Sequence, residues 1–501
     1  MTDMRVRLLV LLVAAIAVRC APEQHASPAA VSSGPFVLRI GMSTTRASAP
    51  VELAGLFTSE PLVAAAWDGR PVYRLAESIS ESDNRGRLTV TLRSDVRFHT
   101  GEALTAPAVA TLLGKKLGRL APEIASVTAL DDRRLVLTLQ KPSTVRIEDL
   151  SSLMVDNGDA EGLALRTGPF KLVSTNPVAL EANAAYYQGA PDLQRIEIRN
   201  YTTHRAAWTG MMRREVDFLH EVSRDAIEFV DASGDIRPYP LLRPYYTGLV
   251  FNVRNPVLRR REVRVAINEA IDREELVRNG MRGHGLVAEG PFWPYHWAYP
   301  HGRFPVSYNP EAAKLRLDGA GLTLSRTPSD QMPARFAFSC LTLIGDDRFE
   351  RIALLVQRQL YAIGIDMRLV PVTSAELRDR LESGSFDAFI MEAVSGRTLS
   401  WAYRLWHSPV GGRMGPFPTG YVAADGALDR LQIAHSDEEI REALADVMHA
   451  MRNDPPAAFL TWPREVRAAD IALDIPYEKE RDVFGSLWRL KKPGPQVRAQ
   501  Q

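Results

Sequence analysis

The segment from Ile352 to Leu369 constrains the fold class more tightly than any other part of the chain. Ile352, Leu355, Val356, Leu360 and Ile363 recur at the spacing of one helical face. Gly364 follows, a residue suited to the left-handed cap that ends a helix. Ile365, Met367 and Leu369 then alternate with Asp366 and Arg368, the period of a strand. A helix that hands over directly to a strand is the building unit of an α/β domain. Two further segments, Leu88–Leu92 and Leu135–Leu139, alternate with a period near two, and Asp131-Asp132 supplies a turn before the second. They predict antiparallel strands. Apolar residues at 263, 266, 267, 270 and 271 predict an amphipathic helix over Val263–Val277, with Arg259–Arg261 as a solvated turn before it.

The first twenty residues carry a different signal. Arg5 and Arg7 precede an unbroken apolar run from Leu8 to Val18, followed by Arg19, Cys20 and Ala21. A basic start and a short apolar stretch have the form of a secretory leader. The run is too short for a permanent span, which needs about 20 apolar residues. Residues 1–20 are therefore expected to be a signal peptide. Ala17-Val18-Arg19-Cys20 resembles a lipoprotein processing site with Arg19 in place of a small residue, which makes Cys20 a candidate lipid anchor. Cleavage after Ala17, with Ala15 and Ala17 as the small residues read by the peptidase, is the alternative. Either route places the protein in the periplasm or on the outer face of the cytoplasmic membrane. Residues 21–35, rich in Pro, Ala and Ser, read as a flexible tether.

The only cysteine besides Cys20 is Cys340, so stability must come from core burial rather than a disulfide framework. A hydrophobic content of 46% allows that. With 61 basic and 60 acidic residues the net charge is +1, which offers no field for nucleic acid or an anionic membrane. Any ligand must be recognised locally.

The strongest motif is Arg93–Val109, RSDVRFHTGEALTAPAV. It resembles the LRxGVxFHDGxPLTAxDV signature of family 5 of the extracellular solute-binding proteins, the oligopeptide, dipeptide and nickel binders of bacterial ABC importers. Here Thr105 is placed to cap the next helix with its hydroxyl and Pro107 falls in the first turn, where a missing N–H is tolerated. The family's acid at the following position is Ala108. Other family motifs occur in order: Ser59–Val63, Asp68-Gly69-Arg70, Thr167–Phe170, Ala185–Pro191, Arg214–Asp217, Phe251-Asn252-Val253, Ala270–Arg273, Tyr308–Ala313 and Gly364-Ile365-Asp366.

The resemblance implies an α/β fold of the periplasmic-binding-protein type II kind, with two lobes, a hinge and a small inserted domain. It places the first lobe at 36–61, 166–247 and 478–495, the insertion at 62–165 and the second lobe at 248–477. It implies capture of a small-molecule or peptide-like solute between the lobes and delivery to ABC permease and ATPase subunits, by a monomer that does no covalent chemistry and needs no cofactor. The strand before Phe251-Asn252 crosses between lobes in the family, which makes Tyr245 and Tyr246 candidate ligand contacts.

After Phe386-Asp387-Ala388-Phe389, peptide binders of the family carry GWxADYxDP and hold the ligand's amino terminus with its first acid. This chain reads Met391-Glu392-Ala393-Val394-Ser395-Gly396-Arg397 and then Thr398 to Trp401, with no acid between Glu392 and Asp425. A buried ammonium without a charged partner is costly, so an ordinary free-amine peptide is not the expected ligand. Arg397 is the leading contact, since a guanidinium fork suits a carboxylate or phosphate; Arg404 and Arg413 also fall in the acid-free stretch. Trp401, Tyr403 and Trp406 follow, and Trp297 lies in the cluster Pro291–Trp297; all are candidate walls. Trp401 and Trp406 are five apart, so one of them is expected in the core.

An exported hydrolase is the rival from another class, and the chain has no GxSxG elbow, HExxH or Gly-rich phosphate loop. His296 and His301 lie in a proline-broken segment, without a metal-ligand spacing. A sensor or extracytoplasmic chaperone built on the same fold remains as a further alternative.

Overall fold

The longest strand, Ala457–Asp470, organises the molecule. In the computed structural model its first half pairs antiparallel with Tyr245–Phe251 and Gly285–Val287, and its second half with Ile236–Leu242 and Phe218–Leu219. One strand thus belongs to two half-sheets. The structure describes residues 35–44, 48–142, 144–157, 165–305, 307–324, 333–345, 347–409 and 417–492. The leader, Cys20, all of the tether before Pro35, and Arg413 lie outside them.

The first half-sheet is built on Val37–Ser43, which pairs parallel with Arg195–Tyr201 and with Phe218–Leu219. Val178–Ala182 and Phe170–Thr175 extend it antiparallel. Its core holds Leu38, Ile40, Phe57, Phe170, Phe218 and the C-terminal Phe484 and Leu487. The second half-sheet places Phe336–Leu343 between Ile365–Val372 and Ala388–Val394, parallel to both. Ala388–Val394 then pairs antiparallel with Tyr245–Phe251.

The helix-to-strand reading of 352–369 is seen directly. A helix covers Asp347–Tyr361, Gly364 adopts φ +84°, and Ile365 begins the strand. Ile352, Val356, Leu360 and Ile363 are all buried in the core against the second half-sheet.

A separate four-stranded antiparallel sheet lies between residues 76 and 139, in the order Ala76–Glu81, Arg87–Leu92, Arg134–Leu139, Ile124–Ala129. Both predicted strands are present and pair with each other antiparallel, Val90 opposite Leu135. This sheet has its own core of Leu88, Val90, Leu135, Leu137 and the helix residues Val109 and Leu113. A small hairpin, Val63–Ala65 with Pro71–Tyr73, projects beside it.

Two local expectations are corrected. The helix predicted over 263–277 ends at Ala270. Ile271 is extended, and Asp272 caps a new turn by accepting from the Glu275 N–H at 2.9 Å, so the side chain that could continue the helix restarts it instead. Thr105 stands at the start of Ala106–Gly114 without a side-chain cap. Of the two N–H groups such a cap can serve, that of Pro107 does not exist, and the Thr105 hydroxyl does not bond the other, on Ala108; the Ala106 N–H reaches the Asp132 carbonyl at 2.8 Å.

Candidate ligand-binding site

The crossover between the half-sheets is lined by charge. Arg243, next to the hinge strand, donates to Glu465 at 2.7 Å and to Glu392 at 3.3 Å, and its guanidinium lies 4.4 Å from the Tyr245 ring centroid. Arg464 pairs with Glu480, which also accepts from the Tyr295 hydroxyl. Glu480 holds this position in the left-handed region, φ +65°, a conformation that costs a non-glycine residue energy and recurs at functional sites. Arg464 and Glu465 also line a cavity of about 300 Å³. His204, Glu221, Arg224 and Asp225 close it from the first half-sheet's side, and Gly345 and Arg351 from the other. Across its mouth Asp225 meets Arg282 at 2.9 Å and Arg351 at 3.7 Å.

Arg397 follows the strand Ala388–Val394 by three residues. It makes no ion pair and no side-chain hydrogen bond among the described residues, and its Nε is buried without a partner. Burial lowers its pKa, an effect reinforced by Arg481 and partly opposed by Asp482. Asp482 is already committed: its two oxygens accept from Arg467 at 2.7 and 2.6 Å. The guanidinium of Arg397 lies 5.2 Å from the Trp67 ring centroid, and that of Arg481 lies 5.6 Å from the same ring. Trp67 also meets Trp293 edge-on at 4.9 Å and Tyr295 at 5.2 Å. The result is an aromatic group with two cations on it, one of them half-buried and without a carboxylate partner.

The other sequence candidates divide. Tyr245 is partly exposed beside Arg243. Tyr246 is fully buried, between Phe459 and Trp462, and its hydroxyl accepts from the Trp406 indole at 3.0 Å. Trp406 is thus the core member of the tryptophan pair, 3% exposed, whereas Trp401 is half-buried against Gly396 and beside Arg404. Arg404 does not join Arg397. It donates to the Leu120 carbonyl at 2.9 Å and to Glu123 at 3.0 Å, which ties it to the segment that precedes the strand Ile124–Ala129. Tyr403 turns the same way, toward Asp429 and His407. Trp297 lies under Arg70, whose guanidinium is 3.6 Å from its ring centroid. Trp67, Arg464, Arg481 and Glu480 carried no signal of their own in the sequence; only the Pro291–Trp297 cluster, which touches Trp67 and Glu480, pointed toward them.

Among the described residues, no group of three or more His, Cys, Asp or Glu is placed to hold a metal ion, and no helix is long and apolar enough to cross a membrane. His296, in the aromatic loop, is held neutral: burial pushes its pKa down to about 3.

Residues 70–409 match the model of the bacterial extracellular solute-binding proteins, family 5, middle region. The chain belongs to this family. It is 26% identical over 463 residues to the oligopeptide-binding protein AppA of Bacillus subtilis, covering 83% of each chain. The fold matches NikZ from Campylobacter jejuni, solved in complex with Ni(L-His), with a TM-score of 0.75 at 20% identity over 92% of this chain and 100% of that one. It also matches AgaA from A. tumefaciens R10, solved in complex with agropinic acid, with a TM-score of 0.68 at 20% identity over 88% and 94% of the two chains. The architecture is therefore the type II periplasmic-binding-protein one, two lobes with a hinge and an inserted small domain, and the protein is a solute-binding protein.

Proposed function

We propose that this solute-binding protein is the extracytoplasmic receptor of an ABC importer, and that it captures an anionic or zwitterionic solute other than a free-amine peptide. Arg397 carries the reading. It stands in the stretch where peptide binders of the family place the acid that holds the ligand's amino terminus, and it is desolvated there with no counter-charge. A carboxylate or phosphate on the ligand supplies the missing partner through a bidentate, charge-assisted hydrogen bond. Trp67 gives that end of the ligand an apolar wall, and Tyr245 and Trp401 are further contacts.

In this mechanism the open receptor admits the solute, the lobes close about the crossover strands, and the closed form docks on a permease driven by ATPase subunits. Ligand affinity is then linked to the hinge equilibrium. The leader 1–20 exports the chain, Cys20 anchors it to the membrane, and it acts as a monomer.

The test is native mass spectrometry of freshly purified protein, followed by thermal shift with mono- and dicarboxylic acids, amino acids, and di- and tripeptides. An acidic or zwitterionic solute is expected to co-purify or to raise the melting temperature. Tight binding of a dipeptide that is lost on N-acetylation overturns the proposal.

A further inference from the structure

The hairpin Val63–Tyr73 ends in the loop Ala66–Arg70, which closes on itself through the Ala66 N–H to Arg70 carbonyl bond at 2.8 Å and the Gly69 N–H to Ala66 carbonyl bond at 3.1 Å. Each residue from 67 to 70 touches the second lobe. The Trp67 carbonyl accepts from the Trp293 indole at 2.7 Å, and the Asp68 carbonyl accepts from the Trp297 N–H at 2.9 Å. Arg70 forks onto Asp437 at 2.9 and 2.5 Å while it stacks on Trp297. Gly69, at φ +85°, lies so close that a Cβ there falls 2.5 Å from both the Arg397 carbonyl oxygen and the His296 ring. That approach is open only to glycine.

The contact has the character of a surface that opens. Its links are a carbonyl–indole bond, a backbone carbonyl–N–H bond and an ion pair whose partners are 42% and 48% exposed, and Trp67, itself partly buried, is the side chain of the tip that packs against the core around Trp293. Interfaces of this polar kind between parts of one chain resemble transient protein–protein contacts. The hairpin tip also meets Arg397 on two sides, through Trp67 at its guanidinium and Gly69 at its backbone carbonyl.

We propose that the tip Trp67–Arg70 is a clasp that engages the second lobe when the receptor closes and fixes Arg397 for ligand. Trp67 and Gly69 are then positioning residues. The proposal rests on the closing-receptor reading and uses Arg397 as the ligand contact, but its test needs no ligand.

Spin labels on the exposed Lys115→Cys and Glu311→Cys, in mature chain carrying Cys20→Ser, report the distance between the small sheet's body and the second lobe by pulsed electron resonance. Cys340 is buried and takes no label. Gly69→Ala is expected to move population from the short distance to a longer one. Gly101→Ala is the control: Gly101 also has positive φ, +95°, but nothing lies within 4 Å of its added Cβ, so it carries the backbone strain without the wedge. It should lower the melting temperature as Gly69→Ala does and leave the distance unchanged. Arg70→Ala, which removes the fork without straining the backbone, is expected to shift the distance in the same direction. Distances in Gly69→Ala and Arg70→Ala equal to wild type overturn the clasp. Peptide binding would overturn the ligand reading and leave this result standing.

Discussion

Replacing Arg397 by methionine separates a ligand contact from a structural cation. In the unliganded protein the guanidinium gains a cation–π contact with Trp67, worth about 0.5–2 kcal/mol, and bears the cost of burial beside a like charge, Arg481. Methionine keeps the apolar stem and removes both effects. They oppose each other, so unliganded stability is expected to change by no more than about 1 kcal/mol. Binding has no such compensation. A hydrogen bond to a charged group contributes about 1.5–3 kcal/mol, so the affinity for an acidic ligand falls roughly 10- to 150-fold. At a ligand concentration of about 100 times the wild-type Kd, binding stabilises the fold by about 2.7 kcal/mol; a 50-fold loss of affinity reduces this to about 0.6 kcal/mol. Titration calorimetry with the co-purified solute reads the first number and denaturant unfolding with and without it reads the second. An unchanged Kd for an acidic ligand removes Arg397 from the site. A loss of several kcal/mol in the unliganded protein assigns it to the fold instead.

Two more perturbations address residues near the site. Tyr246→Phe leaves the buried Trp406 indole N–H without an acceptor, which costs about 1–3 kcal/mol of stability by urea unfolding with no change in ligand affinity; unchanged stability with weakened binding would show that Tyr246 faces the ligand. Glu148 has its pKa pushed up to about 7, first by burial and then by Asp149. An acid whose folded value is raised favours the fold below its unfolded value of 4.5 and loses that contribution as pH rises through about 7. Glu148→Gln is therefore expected to raise the unfolding midpoint at pH 8 more than at pH 5, and an equal effect at both would refute the assignment.

What the sequence disclosed follows the range of the interactions involved. Period and punctuation act over a few residues, so Gly364 between a helix and a strand, and the alternation at Leu88–Leu92 and Leu135–Leu139, identify the elements, while which strand pairs with which comes from the fold. The five-residue spacing of Trp401 and Trp406 separates a core side chain from a half-buried one for the same reason. Val263–Val277 failed because the apolar stripe continues past Ala270 while Asp272, a good cap, restarts the chain there. The site itself is long-range. Trp67 reaches Trp293 across 226 positions, and Arg404 reaches Glu123 across 281. Nothing local to Arg404 distinguishes it from Arg397, and only the fold shows that one has a carboxylate and the other does not.

On the proposed reading, that difference gives a nearly neutral chain its charge preference. Among the described residues, buried arginines are answered within the fold, for example Arg264 by Asp454, Arg467 by Asp482, and Arg273 by the carbonyls of Phe459, Asn268 and Ile271. These side chains can be desolvated because each has its partners at hand. Arg397 is half-buried, its Nε shut off from solvent, with Trp67 across its face and Asp482 already taken by Arg467. A net charge of +1 produces no long-range attraction for an anion. On that reading selectivity arises at contact, where a ligand acid that completes the Arg397 hydrogen bonds removes a cost the empty receptor bears. The same cost weighs against a cationic solute, which would leave Arg397 unpaired and add a like charge beside it.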